Sequence, residues 1–172
     1  MTRTLSILMA FVAPLVTQAQ EYPTKSIRAI VSFAPGGVVD TSTRIVTAKL
    51  QETLNWHFVV DNRPGANGMI GSDIVAKANP DGYSIVLGTI GPMAINASLY
   101  KMPYDIVTEF APITYTANIA NVLVVHASLG VKSQAELIAL AKSKPGELVY
   151  ASAGRGTATH LTSELFDLMA GI

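Results

Sequence analysis

From residue 26 the chain alternates short β-branched runs with amphipathic segments. Residues 27–33 (IRAIVSF) are apolar at Ile27, Ala29, Ile30, Val31 and Phe33, which predicts a strand with little polar surface on either face. Pro35-Gly36-Gly37 breaks it. A helix then opens at Asp40, read as its N-cap, with Val46, Leu50 and Leu54 recurring every four residues. Residues 56–60 (WHFVV) predict a second strand, ended by Asn62-Arg63-Pro64-Gly65. Asn67 is placed to cap a helix whose apolar stripe is Ile70, Ile74 and Ala78. Asn79-Pro80-Asp81-Gly82 is a turn by composition, and residues 83–87 (YSIVL) predict a third strand.

This order implies parallel strands joined by right-handed crossovers, an α/β sheet with helices on both faces. Residues 103–112 (PYDIVTEFAP) change the rhythm and read as a crossing segment. A second cycle follows: a strand over 121–126, a capping box from Ser133 and Glu136 before Leu137, Ile138 and Ala141, and a stop at Pro145-Gly146. Residues 148–151 predict another strand, 152–159 a small-residue loop, and Leu161, Leu165, Leu168 and Met169 a last helix. The expected division is a first lobe over 22–117 and the start of a second over 118–172. Two strands leave a second sheet with open edges, so a truncated chain is expected.

Composition narrows the function classes. Of 172 residues 49% are hydrophobic and 14% charged, which excludes intrinsic disorder. Twelve basic and twelve acidic side chains cancel, without a basic run, and exclude a phosphate-neutralising nucleic-acid binder. Cysteine is absent, so there is no disulfide framework, thiolate zinc site or cysteine nucleophile. Residues 1–19 read as a cleavable export signal: Arg3, an apolar run over 5–16, and Ala19 before Gln20-Glu21. That run contains Pro14 and falls short of the ~20 residues that a membrane anchor needs.

Three loops share one character: residues 34–40, 88–93 and 153–160. Each follows a predicted strand and precedes a helix, placing it at the carboxyl edge where open α/β sheets bind ligands. Glycine-rich backbone and helix N-termini suit an anion, a carboxylate or a phosphate. No P-loop, H-E-x-x-H helix or G-x-S-x-G elbow occurs, and Gly154-Arg155-Gly156 lacks the third glycine of a dinucleotide fingerprint. His57 is expected within a strand and His126 at a strand end, while His160 stands beside the third loop. Two readings of His160 remain, a bond to its own loop or a contact to ligand. Arg63, behind an edge strand, is expected to anchor Asp61 or a carbonyl, and Arg155 to meet a second carboxylate or to reach solvent.

Tyr22-Pro23, Phe33-Ala34-Pro35-Gly36-Gly37 with Asp40, Asn62-Arg63-Pro64-Gly65-Ala66 with Gly68, Pro80-Asp81-Gly82-Tyr83, and Tyr150-Ala151-Ser152 with Gly154, Gly156, Thr157 and His160-Leu161 occur in an order and spacing that resembles one family. It is the Bug-type solute-binding receptors of tripartite tricarboxylate transporters. The resemblance implies a periplasmic-binding-protein-like, two-lobed Venus flytrap with its second lobe truncated, since such proteins run about twice this length. It implies a periplasmic, monomeric, non-catalytic protein that takes a small carboxylate-type solute to membrane permease subunits, without cofactor or metal. Pro35, Gly36, Gly37, Thr89, Gly91, Gly154, Gly156 and Thr157 would clasp the solute, with His160 beside them. Val38 stands where the family often has a small or hydroxylated residue. The rival readings are a secreted α/β enzyme using His160 as base and a signalling or docking module.

Overall fold

Three parallel strands form the sheet, in the order β2–β1–β3: β1 (Ile27–Val31), β2 (Phe58–Asn62) and β3 (Ser84–Val86). The computed structural model describes residues 21–172. The export signal expected over residues 1–19 lies outside the described residues. Ile27, Ala29, Ile30 and Val31 of the central strand are all buried. Burying side chains of the Ile or Val size stabilises by about 1.5–3 kcal/mol each. Helix α1 (Val38–Leu54) packs on β1 and β2, and α2 (Met69–Ala76) on β1 and β3. Right-handed crossovers leaving the centre in opposite directions put the two helices on opposite faces.

The strands and the first two helices match the predicted order, with two differences in what faces inward. On α1 the buried positions are Asp40, Thr43 and Thr47, while Leu54 of the expected stripe is exposed. Threonine enters this face because its hydroxyl finds a backbone acceptor on its own helix. Thr43 donates to the Val39 carbonyl at 2.7 Å and Thr47 to that of Arg44 at 3.2 Å, leaving their methyl groups to pack. On α2 the buried residues are Gly71 and Ser72, and Ile70 is exposed. Here the helix comes too close to β1 for a side chain. A Cβ on Gly71 would stand 2.6 Å from Ser32 Oγ and 2.9 Å from Ser32 Cα.

Both predicted caps shift. Gly37 is the N-cap of α1, with Asp40 inside its first turn. Asn67 lies in a single 3-10 turn, Ala66–Gly68, at φ 51°, and Gly68 is the residue before α2. After β3 a π turn, Gly91–Ile95, runs into α3 (Asn96–Leu99). The crossing segment then folds back on this unit: Tyr104 is buried, donates to the Pro92 carbonyl at 2.9 Å and meets Phe110 edge-on. At the other end of the sheet Tyr22 packs on Trp56 and Tyr83 and donates to the Gly82 carbonyl at 2.7 Å.

Helices α4 (Gln134–Ser143) and α5 (Ala158–Ala170) form where predicted. Ser133 Oγ accepts from the Glu136 N–H, as in a capping box, but the Glu136 carboxylate reaches the Lys132 N–H rather than closing on Ser133. Residues 121–126 and 148–151, expected as strands, join no sheet among the described residues. Val122, Val124 and Val149 are 78, 79 and 93% exposed, so their apolar pattern has nothing to pack on. A strand exists only through its neighbours, because its backbone groups need partners.

The tight α2–β1 crossing gives a first expectation. Gly71→Ala forces a methyl group against Ser32 Oγ and Cα, and such overpacking costs about 1–3 kcal/mol. Urea unfolding followed by the fluorescence of Trp56, the only tryptophan, is expected to show a lower midpoint with an unchanged slope. An unchanged midpoint would mean that α2 moves away freely.

Candidate functional site

In a sheet of order β2–β1–β3 the chain leaves β1 toward one edge and reaches β3 at the other. The point where connections diverge therefore lies between the carboxyl ends of β1 and β3. The loop after β1 (residues 32–37) and the loop after β3 (residues 87–91) flank it. Phe33 from the first and Pro92 beside the second both approach Gly68, within 3.3 and 3.0 Å of where its Cβ would be.

The shape of the first loop is set by Asp40. Its carboxylate accepts from Arg44 Nε at 3.1 Å, the Gly36 N–H at 2.9 Å and Asn62 Nδ2 at 3.0 Å. Asn62 Nδ2 also donates to the Phe33 carbonyl at 3.2 Å, tying the loop to the end of β2. Thus Asp40 holds the Pro35-Gly36-Gly37 loop from inside the helix rather than from the cap. Gly37 supplies no side chain, so the first-turn N–H groups of α1 have no side-chain cap. Pro35, Gly36 and Gly37 are exposed.

Arg63 does what its edge position suggested. Its Nε stands 2.9 Å from Asp61, which also accepts from Arg28 at 2.6 and 3.0 Å. The Arg28 bond, with Arg63 beside it, holds the Asp61 carboxyl below its ordinary range.

The second and third loops meet. Gly91, Gly156 and Thr157 are buried, Thr89 is half-buried and Gly154 exposed. Between them lies a pair of asparagine amides that sequence reasoning missed as site residues. Asn67 Nδ2 donates to Asn96 Oδ1 at 2.8 Å, and Asn96 Nδ2 to the Asn67 carbonyl at 3.2 Å. Asn96 is fully buried, while Asn67 Oδ1 is buried without a donor. The one signal in the sequence was Asn67-Gly68, a pair suited to left-handed backbone. Nothing marked Asn96.

Thr157 caps α5: its Oγ1 accepts from the His160 N–H at 3.3 Å and donates to the Gly154 carbonyl at 2.7 Å. Histidine 160 faces along this helix, its Nε2 3.8 Å from Glu164, and its Nδ1 is buried without a partner. Glu164, one turn on, is a carboxylate neighbour that the sequence reading overlooked. It also accepts from the Tyr150 hydroxyl, and that bond raises the Tyr150 pKa. His57 is exposed and precedes β2, while His126 leads into a 3-10 turn with its Nδ1 2.7 Å from Ser128 Oγ. In the first loop a Cβ on Gly36 would meet nothing within 4 Å and one on Gly37 only the Ala34 carbonyl at 3.4 Å.

A cavity of about 460 Å³ lies elsewhere, lined by Leu123, Val125, Lys132, Ser133, Leu137 and Phe166. Its walls come from the unpaired segment 121–126, from α4 and the residues before it, and from α5, and it holds none of the loop residues. Among the described residues no group of three His, Asp or Glu is placed to hold a metal ion, and no helix is long and apolar enough to cross a membrane.

Residues 42–172 match the family model described as tripartite tricarboxylate transporter family receptor. The chain belongs to this family. Protein BugT of Bordetella pertussis is 37% identical over 177 residues, covering 99% of this chain and 54% of BugT. Among solved structures, R. palustris Rpa4515 with adipate superposes with a TM-score of 0.85 at 40% identity, over 88% of this chain and 51% of that one. The periplasmic binding protein BugD superposes with 0.69 at 31% identity, over 88% and 50%. The family fold, α/β and periplasmic-binding-protein-like, is therefore that of this chain, which spans about half the length of the curated relatives it matches.

The Asp40 node gives a second expectation. Hydrogen bonds from Arg44, Gly36 and Asn62 lower its pKa from 3.8 to about 2. A carboxyl depressed on folding contributes stability that is full above its unfolded value and lost as pH falls through the folded one. The Gly36 amide resonance is expected to titrate with a midpoint near 2, and the loop to loosen below it. A midpoint at the ordinary value would show that Asp40 does not hold the loop.

Proposed function

We propose that this chain serves as an extracytoplasmic, periplasmic receptor that captures a small carboxylate-type solute for transporter permease subunits, without catalysis. The observation that carries the reading is the switch point itself, flanked by a loop that ends in an uncapped helix start and by a buried glycine–asparagine contact. The solute contacts proposed are Pro35, Gly36 and Gly37 on one side, Thr89 and Gly91 on another, and Gly154, Gly156 and Thr157 from the turn before α5. The lobes are proposed to divide near residue 117. Asp40, already engaged by three donors, leaves the first loop free of an unpaired negative charge.

Magnitudes favour capture by more than one loop. A helix start contributes about 0.3–1 kcal/mol and a charge-assisted hydrogen bond about 1.5–3. Micromolar binding needs about 8 kcal/mol net of association costs. His160 is a less suitable base than its position implied, with Nε2 toward Glu164 and Nδ1 buried. It is assigned beside the solute rather than to turnover.

Titration calorimetry of the full chain is the test, with adipate, malate and succinate against the neutral adipamide. A dicarboxylate is expected to bind in the micromolar range, adipamide not at all, with the solute recovered unchanged. Absence of heat with every carboxylate would remove the receptor reading, and consumption of the solute would replace it with the enzyme.

A further inference from the structure

Gly156 is where the turn before α5 sits on the first sheet's loops. A Cβ there would stand 2.9 Å from Asn67 Nδ2, 2.9 Å from Asn96 Oδ1 and 3.1 Å from Leu99 Cδ1. A Cβ on Gly91 would stand 3.2 and 3.3 Å from the two amide atoms of Asn67 and 3.3 Å from the Gly156 carbonyl. The Asn67 amide is thus packed between two glycines. Tyr100 adds a hydroxyl donated to the Arg155 carbonyl at 3.4 Å.

The receiving side is held by its own hydrogen bonds. Asn96 must turn Nδ2 to the Asn67 carbonyl, which leaves its Oδ1 to accept from Asn67 Nδ2. That orientation in turn leaves Asn67 Oδ1 as the buried atom without a donor. An acceptor covered without a partner opposes permanent closure. The contact therefore combines a close fit with a built-in reason to open.

We propose that Gly156 and the Asn67–Asn96 pair form a keyed seat through which the carboxyl-terminal segment closes on the first sheet, with Gly156 as the key that admits no side chain. The role in solute closure rests on the receptor reading above, whereas the seat itself does not. Neither Asn67 nor Asn96 is among the residues proposed to clasp the solute. They act by positioning the turn that does.

The test separates steric fit from backbone strain. Gly156 has φ +85° and Gly154 φ +121°, so alanine strains either, but a Cβ on Gly154 meets nothing within 4 Å. In the full chain, hydrogen exchange of peptides spanning 153–158 and 96–101 is measured for Gly156→Ala, Gly154→Ala and Gly156→Ala with Asn67→Ala. Exchange over 26–32 serves as the control for folding. Gly156→Ala is expected to raise exchange in both segments at least tenfold, Gly154→Ala only in 153–158, and Asn67→Ala to restore part of the loss. Equal effects of the two glycine variants on 96–101, or no recovery in the double variant, would overturn the seat.

Adding adipate or malate to the wild-type chain then tests its use. Increased protection in both segments is expected. If the variants behave as stated but no carboxylate binds, the receptor reading fails and the seat stands. If a carboxylate binds and Asn67→Ala leaves its affinity unchanged, the seat's role in closure is overturned while the receptor reading stands.

Discussion

Backbone pairing of β1 on both edges is the constraint on which the rest of the molecule depends. Ile27–Val31 runs beside β2 over all five residues and beside β3 over Arg28–Ile30. A parallel sheet exposes no face without cost, so α1 and α2 must cover opposite sides of this one strand. Coverage fixes the direction of both crossovers, and the crossovers fix where the connections diverge. The carboxyl-edge loops are therefore placed by the same pairing that makes the core.

The second half of the chain shows the converse. Residues 121–126 have the composition of a strand, and α5 carries Leu161, Leu165, Leu168 and Met169 at helical spacing. Helix α5 forms all the same, because its hydrogen bonds are internal and Thr157 and Gly171 complete its ends. The strand does not, because its partners must come from elsewhere in sequence. Leu168 and Met169 remain 78 and 79% exposed. Local elements survive without tertiary cover, and sheets do not.

Polar nodes rather than apolar packing organise the functional edge. Asp40 ties a glycine-rich loop to its helix and to β2, and Asn67 with Asn96 joins the loops after β2 and β3. Buried polar groups with fixed partners define one geometry where small residues alone would allow many. Low charge fits this design: an anion met by backbone groups needs no basic patch. The Asn67 oxygen and His160 Nδ1 are buried there without a partner.

Most of the first sheet was legible from its pattern, because buried parallel strands and capped helices leave local marks such as IRAIV, YSIVL and the glycine breaks. The edge position behind Arg63 was legible, and of its two expected anchors, Asp61 or a carbonyl, the fold selects Asp61. The stripes of α1 and α2 were misread where Thr43, Thr47 and Gly71 take the inward face, since residue type does not report a hydroxyl bonded to its own helix or a helix pressed onto a strand. Asn96 left no signal because its role is a contact across about thirty residues, whereas Glu164 was legible as the carboxylate one helical turn from His160 and was overlooked. By itself the sequence determined the elements of the first sheet, the three glycine-rich loops and the family, all of which are properties of neighbouring residues. Only the tertiary structure decided which apolar runs become strands, that Gly91 meets Gly156, and that Asn67 bonds to Asn96, because each depends on partners that the chain brings together only by folding.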